Sequence, residues 1–156
     1  MTIARKLQDY VAGRGIHYDT VAHHRTSTSS QTAQAAHVPG RRLAKAVLLH
    51  HEMGYALAVV PSSHRVELNT LQDVIDKRLG LASEDEVGQL FNDCDIGAVP
   101  PVGAAYDVPV FLDESFGGEG DVYFEAGDHK TLVHVTGGDF RNLLQGARVA
   151  RFSHPA

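Results

Sequence analysis

The chain has 156 residues, 43% of them apolar, a formal net charge of −5 and ten histidines, which suits one globular domain over residues 1–156 and leaves too little chain for two ordinary ones. An acidic chain is a poor partner for a long duplex held by phosphate neutralisation, although a local contact with a nucleic-acid end stays open. No apolar run approaches the roughly 20 residues of a membrane span, no secretion signal opens the sequence, and the single Cys94 cannot close an internal disulfide, so the expected setting is the cytoplasm, with no membrane partner.

Thr2 is placed to cap a helix over 2–13 in which Ile3, Leu7, Tyr10 and Val11 share one face. Gly13 and Gly15 then let the chain leave in a left-handed turn, and 16–22 reads as a short strand. Thr28-Ser29-Ser30-Gln31 has the form of a capping box opening a second helix that Pro39-Gly40 closes. Two apolar runs, Ala44–His50 and Tyr55–Val60, flank His51-Glu52-Met53-Gly54 and predict a hairpin buried on both faces. A third helix fits Asn69–Leu79, with Leu71, Val74, Ile75 and Leu79 inward. A fourth begins at Ser83 with Glu86 as its capping partner and buries Val87, Leu90 and Phe91. Residues 93–107, with Gly97, Pro100, Pro101 and Gly103, have no period and read as a structured loop. Strands at 108–112, 121–125 and 131–135 follow, with a Gly-rich turn at Gly117-Gly118-Glu119-Gly120. A helix over 138–145 carries Phe140, Leu143 and Leu144 inward, and a last strand covers 147–152. Strands joined by hairpin-length turns and interspersed with helices predict a mixed α+β fold rather than a doubly wound parallel sheet.

The usual chemical signatures are missing. His51-Glu52 starts like a zincin motif, but Tyr55 stands where the second histidine belongs, and there is no cysteine pair, so no metal or cofactor is expected. No Gly-x-Ser-x-Gly segment exists, and Cys94 lies between Asp93 and Asp95, whose charges oppose a thiolate. Three segments remain. Lys45 heads an apolar strand on the face of Val47 and Leu49; it is either a strand-end lysine reaching solvent or a point charge at a pocket mouth suited to an anion. Gly97-Ala98-Val99-Pro100-Pro101 is stiffened by prolines that donate no N–H, so its donors must be Gly97, Ala98 and Val99; it is a rigid connector or a cradle for a developing oxyanion. Ala126-Gly127-Asp128-His129 is an exposed hairpin turn or a turn that brings a near-neutral proton carrier to a site.

These segments, with Arg42–Leu49, Ala56–Pro61, Arg65–Leu68, Leu81–Ser83 and Val108–Asp113, resemble in order and spacing the YbaK family over about residues 16–145. That family comprises the editing domain of bacterial prolyl-tRNA synthetases and its free-standing relatives. The resemblance implies an α+β fold with a mostly antiparallel, barrel-like sheet and flanking helices, and hydrolysis of mischarged tRNA. It places the essential lysine on Lys45, the backbone-binding loop on Gly97–Pro101 (with Gly97 and Ala98 as oxyanion donors and Val99 and Pro100 against substrate), and pocket residues on Gly127, His129, His23 and His24. The tRNA's own 2′-hydroxyl would help activate the attack. The cysteine-specific branch carries a Tyr at the end of the first strand and Ser-Gly-Gly in place of Ala126-Gly127-Asp128. Their absence here points to alanine or another small amino acid on proline tRNA, with the acceptor end of mischarged tRNA and prolyl-tRNA synthetase as partners. A non-catalytic module that binds tRNA or a synthetase, and a hydrolase of another small ester, stay open as alternatives.

Overall fold

The computed structural model describes residues 3–26, 28–116 and 120–156; the proposed cap Thr2 and residues 117–119 of the Gly-rich turn lie outside them. Helix α1 (Arg5–Gly13) buries Leu7 and Val11, and its first turn is tied down by Ala4 N–H donating to Ala126 O at 2.8 Å. Of the two glycines after it, Gly15 takes the left-handed conformation, with φ +66°, while Gly13 closes the helix. Strand β1 (Asp19–Ala22) is shorter than the 16–22 expected. Helix α2 (Ser29–Ala35) is capped by Thr28, whose side chain accepts from Gln31 N–H at 3.1 Å.

The predicted hairpin is β2 (Leu43–His51) with β3 (Gly54–Pro61), paired along its whole length from Ala44 opposite Pro61 to His51 opposite Gly54. Strand alternation sends Ala44, Ala46 and Leu48 to one face, where they join Leu57, Val59, Phe124 and Phe140 in the main core. The other face sends Val47 and Leu49 to a second core with Ala58, Val60, Leu71, Leu79 and Phe152. Both faces are buried, as an apolar run without polar alternation requires; each fully buried Leu or Phe contributes about 1.5–3 kcal/mol.

Beyond β4 (His64–Val66), helix α3 (Leu68–Ile75) stops four residues before the predicted end at Leu79. Asp76 turns left-handed at φ 54°, a conformation a short polar side chain tolerates, and Gln72 then holds the exit by accepting Leu79 N–H on its side-chain oxygen at 2.9 Å. Leu79 still packs inward from the loop. Strand β5 (Gly80–Leu81) and helix α4 (Glu84–Leu90) follow, the latter opened by the predicted box in which Ser83 and Glu86 cap each other. Strand β6 (Val110–Asp113) begins after Pro109, which lacks the N–H a ladder needs. After β7 (Asp121–Glu125), β8 (Thr131–Thr136) and α5 (Gly137–Leu143), the predicted strand 147–152 divides into β9 (Arg148–Ala150) and β10 (Ser153–Pro155). The break is at Phe152, whose ring is fully buried in the second core and whose N–H goes to the Asp113 carboxylate at 2.9 Å instead of a ladder partner.

The large sheet runs β1-β8-β7-β2-β3-β6-β9 and is mostly antiparallel; β7 meets β2, β3 meets β6 and β6 meets β9 in parallel. Strand β10 pairs with β4 in a small second sheet. One local feature positions the site. On the side away from β3, strand β2 pairs with β7 at Leu43–Ala44 and with β5 at Leu49–His50. Between those contacts, from Lys45 to Leu48, the two neighbouring strands diverge and the sheet is notched.

Candidate active site

The notch opens into a cleft of about 340 Å³ lined by Lys45, Ala46, Leu48, Val87, Gly97 and Val99, with Ser29 of α2 and Leu81, Ala82 and Ile96 at its borders. Lys45 is half-buried. Its Nζ donates to the His64 carbonyl at 3.0 Å, and burial first, the Arg65 charge second, hold its pKa below the ordinary lysine range. The side chain thus turns to a backbone carbonyl and pairs with no acid among the described residues: it is a cation at a pocket wall, held by one neutral acceptor that a stronger anion can replace.

The facing wall is the loop before Pro100. Gly97 sits at φ +89°, a conformation glycine adopts freely, and a Cβ added there would lie 3.0 Å from the His129 ring. Ala98 N–H is already committed to Asp95 O at 3.1 Å and the residue is fully buried, which removes it from the predicted set of donors. The N–H groups of Gly97 and Val99 have no partner among the described residues. Pro100 is buried behind the loop rather than on the cleft, so it stiffens the wall without touching its contents.

Gly127 and His129 also lie behind the loop, not on the cleft. Gly127, at φ +116°, packs where a Cβ would meet Ala4 at 3.1 Å and the Cys94 sulfur at 3.4 Å, and its carbonyl accepts Asp95 N–H at 2.7 Å. His129 is buried, at φ 58°, with Nε2 2.6 Å from Ile96 O; the carbonyl can only accept, so Nε2 carries the proton. The predicted pocket turn is thus a pedestal: it grips the chain entering the Gly97 loop through Asp95 and Ile96. His23 and His24 part company. His24 is exposed and lines a separate depression of about 510 Å³ with Arg25, Gln31, Gln34 and His37. The His23 side chain is fully buried, with Nε2 3.5 Å from Glu125.

Glu125 was not singled out in the sequence, although a lone carboxylate after Val122-Tyr123-Phe124 is a signal in itself: its side chain is only 9% exposed, and burial raises its pKa to about 7. Ser29, Val87 and Ala82 also escaped, because small or apolar residues carry no chemical flag. The Cys94 thiol has little tendency to ionise. Burial pushes its pKa to about 12, and Sγ lies within reach of Asp93 and the Tyr106 hydroxyl. Among the described residues no three His, Cys, Asp or Glu side chains converge as a metal ion would require.

The cleft is thus lined by Lys45 and by two loop residues, Gly97 and Val99, whose N–H groups have no partner among the described residues; such a set of groups suits an ester, with donors for a developing oxyanion and a cation for a phosphate. A family model for the aminoacyl-tRNA editing domain matches residues 23–143, well over half of the chain. Among solved structures, a candidate trans-editing enzyme for prolyl tRNA synthetase is 29% identical, with a TM-score of 0.84 and 97% of this chain aligned to 96% of that one. A scaffold protein from epitope backbone grafting by computational design is also 29% identical, with a TM-score of 0.85 over 97% of both chains. The hypothetical protein APE2540, at 23% identity and a TM-score of 0.84 over 96% of this chain and all of that one, shares the fold. No curated protein matches the chain.

Proposed function

This chain belongs to the YbaK-type aminoacyl-tRNA editing family, and from that membership we propose that it hydrolyses the ester joining a small, wrongly attached amino acid to proline tRNA, alanine before cysteine or serine. The observation that carries the reading is the convergence of Lys45 with the unpaired N–H groups of Gly97 and Val99 on one cleft. The tRNA assignment is supported by the likeness to a candidate trans-editing enzyme for prolyl tRNA synthetase, and prolyl-tRNA synthetase is the partner it suggests.

An aminoacyl ester is already activated, so the protein has to position it and stabilise charge rather than supply a covalent nucleophile. Water adds to the ester carbonyl and its oxygen becomes an oxyanion facing Gly97 and Val99. The C–O bond to the ribose then breaks, the ribose oxygen takes a proton, and the free amino acid leaves. Lys45 gives up the His64 carbonyl for the terminal phosphate, which anchors the 3′ end. The neighbouring 2′-hydroxyl, by analogy with the family, orients the water. Ala46, Val87 and Val99 offer a short apolar wall to a methyl side chain. Such editing answers a general limit, since one methylene distinguishes amino acids by only about 1–3 kcal/mol during synthesis.

The test is the rate of deacylation of proline tRNA charged with alanine, cysteine, serine or proline. Alanine should be released fastest and proline spared. Faster release of cysteine would move the chain to another branch of the family, and no release of any would leave a binding module as the better account.

A further inference from the structure

We propose that His23 and Glu125 form a buried pair that holds one proton between them, and that this proton fixes the two segments flanking the Gly97 loop: the turn Ala126–His129 and the approach to α2. The argument begins with a tautomer. His23 Nδ1 is 2.7 Å from the carbonyl oxygen of His24, which can only accept, so Nδ1 carries a hydrogen. In a neutral ring Nε2 is then a bare acceptor. It faces Glu125 Oε1 at 3.5 Å, in a spot where the His23 side chain has no exposure and that of Glu125 has 9%. A lone pair facing a carboxylate without a proton repels, and neither Nε2 nor either Glu125 oxygen has a hydrogen-bond partner among the described residues. One shared proton makes the contact favourable, whichever of the two atoms it sits on.

The surroundings supply no substitute. From the turn, Asp128 adds a negative charge that opposes ionisation of Glu125; from α2, the Thr32 hydroxyl works the other way and favours the ionised form, but it is outweighed by burial and it donates to the Thr28 carbonyl at 3.0 Å. On the chain leaving β1, Arg25 pairs with Asp95 at 3.7 Å, and His24 is exposed. On β2, the Lys45 ammonium goes to the His64 carbonyl. Burial, the largest influence, lifts the Glu125 carboxyl from the ordinary 4.5 to about 7.

The placement gives the pair its role. Phe124 lies beside Ala44 in the sheet, so Glu125 is the last residue of β7 before the turn, at the level of Lys45. His23 follows the last residue of β1, with its N–H on Lys130 O at 2.9 Å. The contact spans β8 and clamps the turn to the segment that runs into Thr28 and Ser29. These are positioning residues: they act through the turn, which holds the loop at Asp95 and Ile96. The sign follows from the raised carboxyl. The folded state keeps a proton that the unfolded chain releases between the ordinary range and about pH 7, so stability is full on the acid side of that window and falls as pH rises through it.

The experiment follows the carboxyl carbon of Glu125 and the backbone amides of Gly97, Gly127 and Ser29 by NMR in the full chain between pH 4 and 9, with Glu125→Gln for assignment. Glu125 should titrate near 7 and the amides should move with the same midpoint, but stay still in Glu125→Gln, whose amide N–H donates to Nε2 without titrating. A carboxyl midpoint near 4.5, or amides indifferent to it, would overturn the pair. The second arm rests on the proposed deacylation. Relative to the unsubstituted protein, Glu125→Gln should gain about fifteenfold in kcat/KM between pH 7 and 8.5, because the protonated fraction of the native pair falls from about one half at the midpoint to about 3% a unit and a half above it. A constant ratio would refute the role in activity. Absence of deacylation at every pH, with the resonances behaving as described, would remove the proposed function and leave the pair standing.

Discussion

Replacing Gly97 by alanine perturbs the loop wall at its tightest point, and the structure gives the size of the effect. At φ +89° an L side chain costs about 1–2 kcal/mol in backbone strain. The new Cβ would also sit 3.0 Å from Cε1 of His129, a ring that cannot swing away while Nε2 holds Ile96 O at 2.6 Å. The loop has two ways to relieve this. It can keep its path at the cost of the strain, or Gly97 can flip to negative φ and turn its N–H off the cleft. The second forfeits an oxyanion donor, worth about 3 kcal/mol or roughly a hundredfold in kcat. Because the flip avoids strain in the ground state, global stability should fall by no more than about 2 kcal/mol while deacylation falls about a hundredfold. Single-turnover deacylation of alanyl-tRNA, alongside a denaturant melt, separates the two quantities. A Gly97→Ala protein that keeps the parent's stability, and so has escaped the strain by flipping, yet deacylates within twofold of the parent would show that this N–H does not face the reaction.

Lys45→Ala should abolish deacylation at little cost to stability, since its one hydrogen bond is to a neutral carbonyl. Lys45→Arg should also fail largely, because a planar fork does not fit where a compact ammonium donates to one oxygen; a full rescue by arginine would argue against the point-charge role. Cys94→Ala should stay active and chelators should not inhibit. With its pKa at about 12, the native thiol should alkylate far more slowly at pH 8 than a free cysteine. Rapid alkylation coupled to loss of activity would contradict that.

Much of the fold was legible because its signals are local. The apolar runs on either side of His51–Gly54 specify a hairpin wherever they occur, and Ser83 with Glu86 caps a helix by contacts within one turn. Misreadings arose where a distant group intervened. Phe152 leaves the strand pattern because Asp113, far away in sequence, offers its N–H a carboxylate and the second core offers its ring a place. The helix over Leu68–Ile75 ends at Asp76, a residue whose left-handed turn no periodicity announces. At the site, Lys45 and Gly97 stood out because a lysine in an apolar strand and a glycine before prolines are odd in themselves. That Ala98 spends its N–H inside the loop, and that Gly127 and His129 prop the loop from behind, depends on three-dimensional contacts with Asp95 and Ile96.

The notch in the sheet has a mechanical consequence. Most binding pockets are bounded by side chains, and a rotamer change widens them at the cost of a fraction of a kcal/mol to about 1.5 kcal/mol. This one is bounded lengthwise by main chain: strand β2 is stitched to β7 at Leu43–Ala44 and to β5 at Leu49–His50, with Ala82 N–H donating to Leu48 O at 3.0 Å beside the second seam. To lengthen the opening, a guest must unpick a seam, at about 1 kcal/mol for each backbone hydrogen bond undone. The slot behaves like a fixed-gauge aperture, and its gauge is stored in strand register rather than in the identity of the residues that line it.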